Sequence, residues 1–450
     1  MNFLKALPTR DEVLRHVAVS SAYGNLCLFI GAGFSKELVG DAALSWGKLL
    51  ESAADEMGVV FDFSNARLIG VGYPEVASLV CRQFAESEGV TFEQALLKLK
   101  THVSEMTCWY PSDEKKSFYA EKLTALAPSW IVTTNYDLVI ESLLPVNSVA
   151  IGPNQPLVFR KGMVPVYHLH GVRTSPQDIV IAREDYTALF RPNEYRQIKL
   201  ALTLKESTTL LLGYGLGDDN VLTAFDWSRN VFQKQSAEYP SGVIQVVRAT
   251  APKKTPYLEG NGTLILEVKD LQSFFSELMP FVESKKAEDE KANAEMQELN
   301  ELLVSRPVKA VERFIDDQAV RNKILSLLIE NHTQLINGFI PFFEKSVDQT
   351  FVRSKDDGAF EGYSQCLMLL LDILIAYGEK DLPPLLFQKI ASAFDRQAKY
   401  VGSGLGQSHA SGRQWEKRKK DLPKRHVREL HIYAKRKSWS TAVKLLAPII

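Results

Sequence analysis

Runs of apolar and β-branched residues punctuate the first 270 positions, with stretches of helical periodicity between them. The clearest run is Leu26-Cys27-Leu28-Phe29-Ile30, five apolar residues without a break, which predicts a strand buried on both faces. Similar runs lie at 130–134, 164–169, 208–212, 243–247 and 263–268, with a shorter one at 178–181. Helical patterns fill the gaps: a leading helix within residues 1–25 with Asp11 as its N-cap, the segment 45–54, and a mostly helical insertion over about 60–127. That insertion reads equally as a cap over the sheet edge and as an ordinary helical layer. Further helices are expected after 137, from 183, and over 221–232. Strands alternating with helices predict an α/β fold, a doubly wound parallel sheet of Rossmann-like type with right-handed crossovers.

A mixed-charge segment at 284–300 reads as a linker or helix between domains. It divides an α/β domain over 1–283 from an all-α C-terminal domain over 301–450, whose apolar runs at 324–329 and 367–374 have helical character. Gly402-Ser403-Gly404-Leu405-Gly406 marks a break within the second domain.

Composition narrows the function only slightly. At 450 residues, each domain is large enough for its own core, and a net charge of −1 gives the whole molecule no pull on nucleic acid or membrane. Residues 413–437 are the exception, a basic stretch beside Trp415 and Tyr433. It could hold nucleic-acid phosphate or an acidic partner surface, or be a solvated helix face. The four cysteines are scattered without a Cys-x-x-Cys pair, which indicates neither a zinc site nor a disulfide framework. No signal-peptide pattern opens the chain, and the apolar run at 366–377 is too short to cross a bilayer and carries Asp372. A cytoplasmic protein without membrane contact is the expectation.

Candidate chemistry gathers where strands end. Gly31 and Gly33 follow the first run and would let backbone approach a ligand, with amides available to a phosphate. Neither a P-loop nor a dehydrogenase fingerprint fits: Lys36 stands where a third glycine belongs, and Glu51 lies in a helical pattern. Asn135 and Asp137 close the second run, and Asp137 could equally cap the following helix. His170-Gly171 closes the third, well placed for acid–base work, while His168 reads as a packed supporting histidine. Gly213-Tyr214-Gly215-Leu216-Gly217-Asp218-Asp219-Asn220 closes the fourth, and its acids could hold ribose hydroxyls or cap a helix. In a doubly wound sheet, ligands bind outside the carboxyl ends of the strands, so these residues converge on one edge.

Gly-Ala-Gly-Phe-Ser (31–35), Thr-Thr-Asn-Tyr-Asp (133–137), Leu-His-Gly (169–171) and the turn at 213–220 together resemble the sirtuin-like NAD-binding domain, over about residues 20–280. The resemblance is closer to the bacterial branch found in antiphage defence than to the protein deacylases. It implies an NAD+ glycohydrolase that releases nicotinamide and ADP-ribose and depletes NAD during abortive infection. Gly31, Ala32, Gly33, Phe34 and Ser35, with Thr134, would bind the dinucleotide, the glycine turn cradling its pyrophosphate. Asn135 and Asp137 would hold the nicotinamide ribose and position the attacking water, with His170 as general base. Gly213, Gly215, Asp218, Asp219 and Asn220 would flank the adenosine half. No four-cysteine module follows His170, so no zinc is expected and acyl-lysine binding is put in doubt. Size and order also resemble the subunit that pairs with a HerA-type ATPase, a DNA translocase, which implies that partner and a homo-oligomer. The alternatives are a non-catalytic NAD or ADP-ribose sensor and an NAD-dependent deacylase.

Overall fold

The structure, a computed structural model, describes residues 8–68, 70–156, 158–189, 195–214, 242–260, 262–356 and 361–450. Eight strands form one sheet: β1 (Leu26–Ile30), β2 (Trp130–Thr133), β3 (Ser148–Ile151), β4 (Val164–His168), β5 (Thr208–Leu212), β6 (Val243–Arg248), β7 (Tyr257–Leu258) and β8 (Leu264–Val268). Their order is β3-β4-β2-β1-β5-β6-β8-β7, and every pair is parallel except β7 with β8. The fold is thus α/β and Rossmann-like, with a helical region after it.

The apolar run of β1 explains its central place. Leu26, Leu28 and Ile30 face Val13, Leu14, Leu123 and Phe275 from helices on one side. Cys27 and Phe29 pack with Tyr167, Leu200, Leu204 and Leu211 on the other. A strand covered on both faces cannot alternate polar with apolar residues, and this one does not. From β1 the chain first builds outward through β2, β3 and β4, then returns to place β5 on the other flank of β1. The carboxyl ends of β1 and β5 therefore border the point where strand order reverses, where such sheets bind ligands.

Two local expectations are corrected. The leading helix (Arg10–Ala22) is capped by Thr9, not Asp11: the Thr9 hydroxyl takes the Glu12 amide and Glu12 answers the Thr9 amide, a capping box. Residues 178–181 do not form a strand, and among the described residues no strand pairs with them. Their backbone bonds instead to a loop and a side chain, Val180 N–H to His170 O at 2.8 Å and Tyr136 O–H to Val180 O at 2.8 Å. The edge strands β3 and β7 went unread, being short and partly exposed, so that pairing rather than pattern makes them strands. The helix expected at 221–232 lies outside the described residues.

The insertion supplies the helices Tyr73–Glu88, Phe92–Met106 and Asp113–Leu126. The first two, with the helix Trp46–Glu56, build a cluster from Leu50, Val80 and Leu99 that also takes in Tyr136, Ile179 and Ile181. The last faces the sheet core through Tyr119 and Leu123.

The chain divides into two compact units, Met1–Asp289 and Glu290–Ile450, the division falling inside the helix Leu271–Ser305. The second unit is helical around the helix Glu361–Tyr377, whose Leu367, Leu370, Leu371 and Leu374 are fully buried. Asp372 in that helix is buried too, held by Arg321 at 2.6 Å and Arg418 at 2.5 Å. Two guanidiniums on one buried carboxylate meet the need of a charge removed from water. No described helix is long and apolar enough to cross a membrane.

Candidate functional site

The β1 and β5 turns touch so closely that glycine is required. Gly33 N–H donates to Gly213 O at 2.8 Å, and Gly31 N–H donates to Leu212 O at 3.0 Å. A Cβ on Gly213, whose φ is +59°, would stand 2.1 Å from Phe34 N, and one on Gly31 would meet Gly213 O and Tyr214 at 2.7 Å. The glycine signal in the sequence thus reports backbone against backbone. The Phe34 side chain turns into the core against Tyr119, and its amide bonds to Gly31 O at 3.0 Å.

Ser35 is fully buried beneath this turn. Its hydroxyl reaches both carboxylate oxygens of Asp137, at 3.1 and 3.0 Å, and accepts from Asn135 Nδ2 at 3.0 Å. A carboxylate only accepts and a hydroxyl has one proton, so Asn135 must present its NH2 group to Ser35. Asp137 also accepts the Val139 amide at 3.0 Å, so it starts the following short helix as well as anchoring Ser35. Burial pushes the Asp137 carboxyl up to about 6, against the opposing pull of the Val139 amide and Ser35.

His168, the last residue of β4, holds Asn135 from behind. Its Nδ1 meets Asn135 O at 2.8 Å and its Nε2 meets Glu141 Oε1 at 2.8 Å. A carbonyl only accepts, so Nδ1 carries a proton. Burial would lower this imidazole, but the Glu141 charge and hydrogen bond, with the Asn135 carbonyl, raise it above its ordinary value. It is the supporting histidine that its spacing suggested.

His170 follows at the strand end and is 4% exposed. The Tyr186 hydroxyl stands 3.5 Å from its Nδ1, and the two rings meet edge to face at 5.3 Å. Gly171 turns the chain sharply at φ +92°, where a Cβ would strike Asp178 O at 2.6 Å. The insertion clamps this loop. Ser104 Oγ donates to Arg173 O at 2.5 Å, and Lys100 pairs with Asp185 at 2.7 Å. Asp185 in turn takes the amides of Ile181 and Ala182.

Thr134, Asn135, Asp137 and His170 border one cavity of about 340 Å3, together with Ala32 and Tyr214. The rest of its wall includes Trp46, Tyr73 and Trp109, beside or within the insertion, which therefore does cover this edge of the sheet. Sequence reading missed these aromatics, since a Trp or Tyr in a helical pattern looks like core. A second cavity of about 380 Å3 is bordered by Gly33, Lys36, Gly213 and Arg248. Neighbouring residues of the same two turns, Ala32 with Tyr214 and Gly33 with Gly213, thus line the two cavities. Gly215, Asp218, Asp219 and Asn220 lie outside the described residues. Among the described residues, no group of three or more His, Cys, Asp or Glu could hold a metal ion.

A mostly parallel sheet with a glycine-tight switch point and four polar residues facing an aromatic cavity has the form of a nucleotide-type α/β domain. Residues 129–262 match the profile of the SIR2-like domain. The match holds Thr134, Asn135, Asp137, His170 and Gly213, and the Gly31–Ser35 turn precedes it. Defense-associated sirtuin 2 of Bacillus subtilis is 20% identical over 269 residues, 58% of this chain and 25% of the relative. The chain thus spans about a quarter of the length of that relative. Over residues 129–262 it is similar to a sirtuin-like domain.

Proposed function

We propose that this chain is an NAD+ glycohydrolase, converting NAD+ and water to nicotinamide, ADP-ribose and a proton, and that it serves antiphage defence by depleting NAD. A sirtuin-like domain implies NAD as the molecule handled, and the defence role follows the name of its relative. The observation that carries the reading is the convergence of Asn135, the Ser35–Asp137 pair and His170 on one aromatic-walled cavity at the switch point.

Nicotinamide leaves as a neutral molecule from a cationic ring, so departure needs little acid help and generates an oxocarbenium-like ribose. The protein must orient the ribose, exclude stray nucleophiles and accept one proton. The aromatic wall suits the flat nicotinamide ring, and a cavity of about 340 Å3 suits the nicotinamide–ribose half of the dinucleotide. The second cavity, whose lining joins Lys36 and Arg248 with Glu37 and Asp41, takes the phosphate and adenosine half in this reading. Asn135, oriented through Ser35 and His168, holds the ribose or water. Asp137, already committed to Ser35 and Val139, acts by fixing that arrangement. His170 takes the proton.

The test is nicotinamide release from NAD+. His170→Ala and Asn135→Ala should each lower it at least about a hundredfold, the low end for losing a general base or its aligned partner. Wild-type turnover in both variants would remove the assignment. The homo-oligomer and a HerA-type ATPase partner belong to the same proposal, and native mass spectrometry of the assembly purified from cells tests them.

A further inference from the structure

The last fifty residues carry twelve Lys and Arg against three Asp and Glu, in a protein whose net charge is −1. Much of that excess sits on the helix Lys424–Arg436. Its buried residues are His426, Val427, Leu430 and Ala434. Lys424, Arg428, His431 and Lys435 recur at helical spacing down one flank, clear of those, with the three cations exposed. On the other flank Arg425 is already paired, with Asp381 and with Glu429, while Arg436 stands exposed at the helix end. No described carboxylate forms an ion pair with Lys424, Arg428 or Lys435. Helix stability does not account for this placement. Pro423 supplies no side-chain cap, no acid occupies the first turn, and Lys424 and Arg425 set positive charge at the positive end of the helix dipole.

The aromatic residues of the stretch rule out one mode of binding. Trp415 is buried against Phe394, and Tyr433 packs edge-on to Phe387 and Trp439. Single-strand binders offer rings on which bases stack, and here those rings are used in the core. The basic flank also lacks the apolar centre of a protein–protein interface. What it offers is a row of cations spanning about 16 Å, at the helical rise of about 1.5 Å per residue. That is the form of contact made with phosphates of a duplex.

We propose that the Lys424–Arg436 helix docks double-stranded nucleic acid through the phosphate backbone, with Lys424, Arg428 and Lys435 as its phosphate contacts. Contacts of this kind release counterions and carry no base sequence information. The inference is independent of NAD hydrolysis.

Fluorescence anisotropy of the full-length protein with a labelled duplex of about 20 base pairs, from about 50 to 200 mM salt, is the test. Binding should be indifferent to sequence, with log K falling against log salt at a slope of about −3 or steeper, since three duplex phosphates contribute about −0.9 each. The triple variant K424Q/R428Q/K435Q should lose at least about tenfold in affinity at low salt and flatten the slope by about 2 to 3. It keeps the helix because only exposed charges change, and circular dichroism verifies that. Arg425→Ala, which removes a cation already paired with two carboxylates, should bind within about twofold of wild type. Absence of duplex binding at about 50 mM salt overturns the proposal. So does binding that the triple variant retains, or equal competition by polyglutamate, which would assign the face to an acidic protein.

Discussion

Ser35 joins the two polar residues that the sequence set a hundred positions away. Its single hydroxyl accepts from Asn135 and donates to Asp137, so removing it leaves a buried amide and a buried carboxylate without their shared partner. Ser35→Ala should cost about 1–3 kcal/mol of stability and lower NAD hydrolysis at least about tenfold. Denaturant melts and nicotinamide release check the two halves separately. Asp137 gives a pH signature. Its carboxyl rises from an ordinary 3.8 to about 6, so between those values the folded chain holds a proton that the unfolded chain has released. Stability then falls as pH rises through that window, by about 3 kcal/mol in all. In Asp137→Asn this loss is absent. Between pH 5 and 7.5 the variant should gain about 1 kcal/mol relative to wild type in paired urea melts. A difference that stays constant, or moves the other way, would contradict the buried carboxyl. His168 is the opposite case in charge: its raised imidazole stabilises the fold while protonated and loses that contribution as pH rises through its folded value. Removing one member of such a buried pair costs about 3–5 kcal/mol, and His168→Ala should show it.

At the scale of elements, the two glycine turns decide whether the switch point can close. Gly213 has a left-handed φ and no room for a Cβ, since Phe34 N would lie 2.1 Å from it. Gly213→Ala should therefore destabilise the chain by at least about 2–3 kcal/mol and separate the β1 and β5 turns. A melting midpoint unchanged from wild type would contradict that packing. The central strands were legible because burial on both faces writes an unbroken apolar run, as in Leu26 to Ile30. The edge strand Ser148–Ile151 was not, because three of its four residues are only partly covered and its identity comes from its register with Val164–Tyr167. The run at 178–181 misled for the converse reason, being apolar because Ile179 and Ile181 face the insertion's cluster. Asn135, Asp137 and His170 were legible as polar residues at strand ends. Trp46, Tyr73 and Trp109 were not, since only the tertiary fold turns helical aromatics toward a cavity instead of a core.

For the whole molecule, the chemistry described lies within the first compact unit and the segregated positive charge within the second. A net charge of −1 hides that asymmetry. The second unit was read as helical from its apolar periodicity, but the Arg321–Asp372–Arg418 cluster at its centre left no pattern to read, since its members lie far apart in sequence. The most direct measurement of the central claim is hydrolysis of NAD+ by the full-length protein in 18O-labelled water, with products weighed by mass spectrometry. Hydrolysis at this cavity predicts free nicotinamide and ADP-ribose heavier by one labelled oxygen, both lost in His170→Ala. NAD+ left intact by the wild-type protein, or label uptake that persists in His170→Ala, would contradict it.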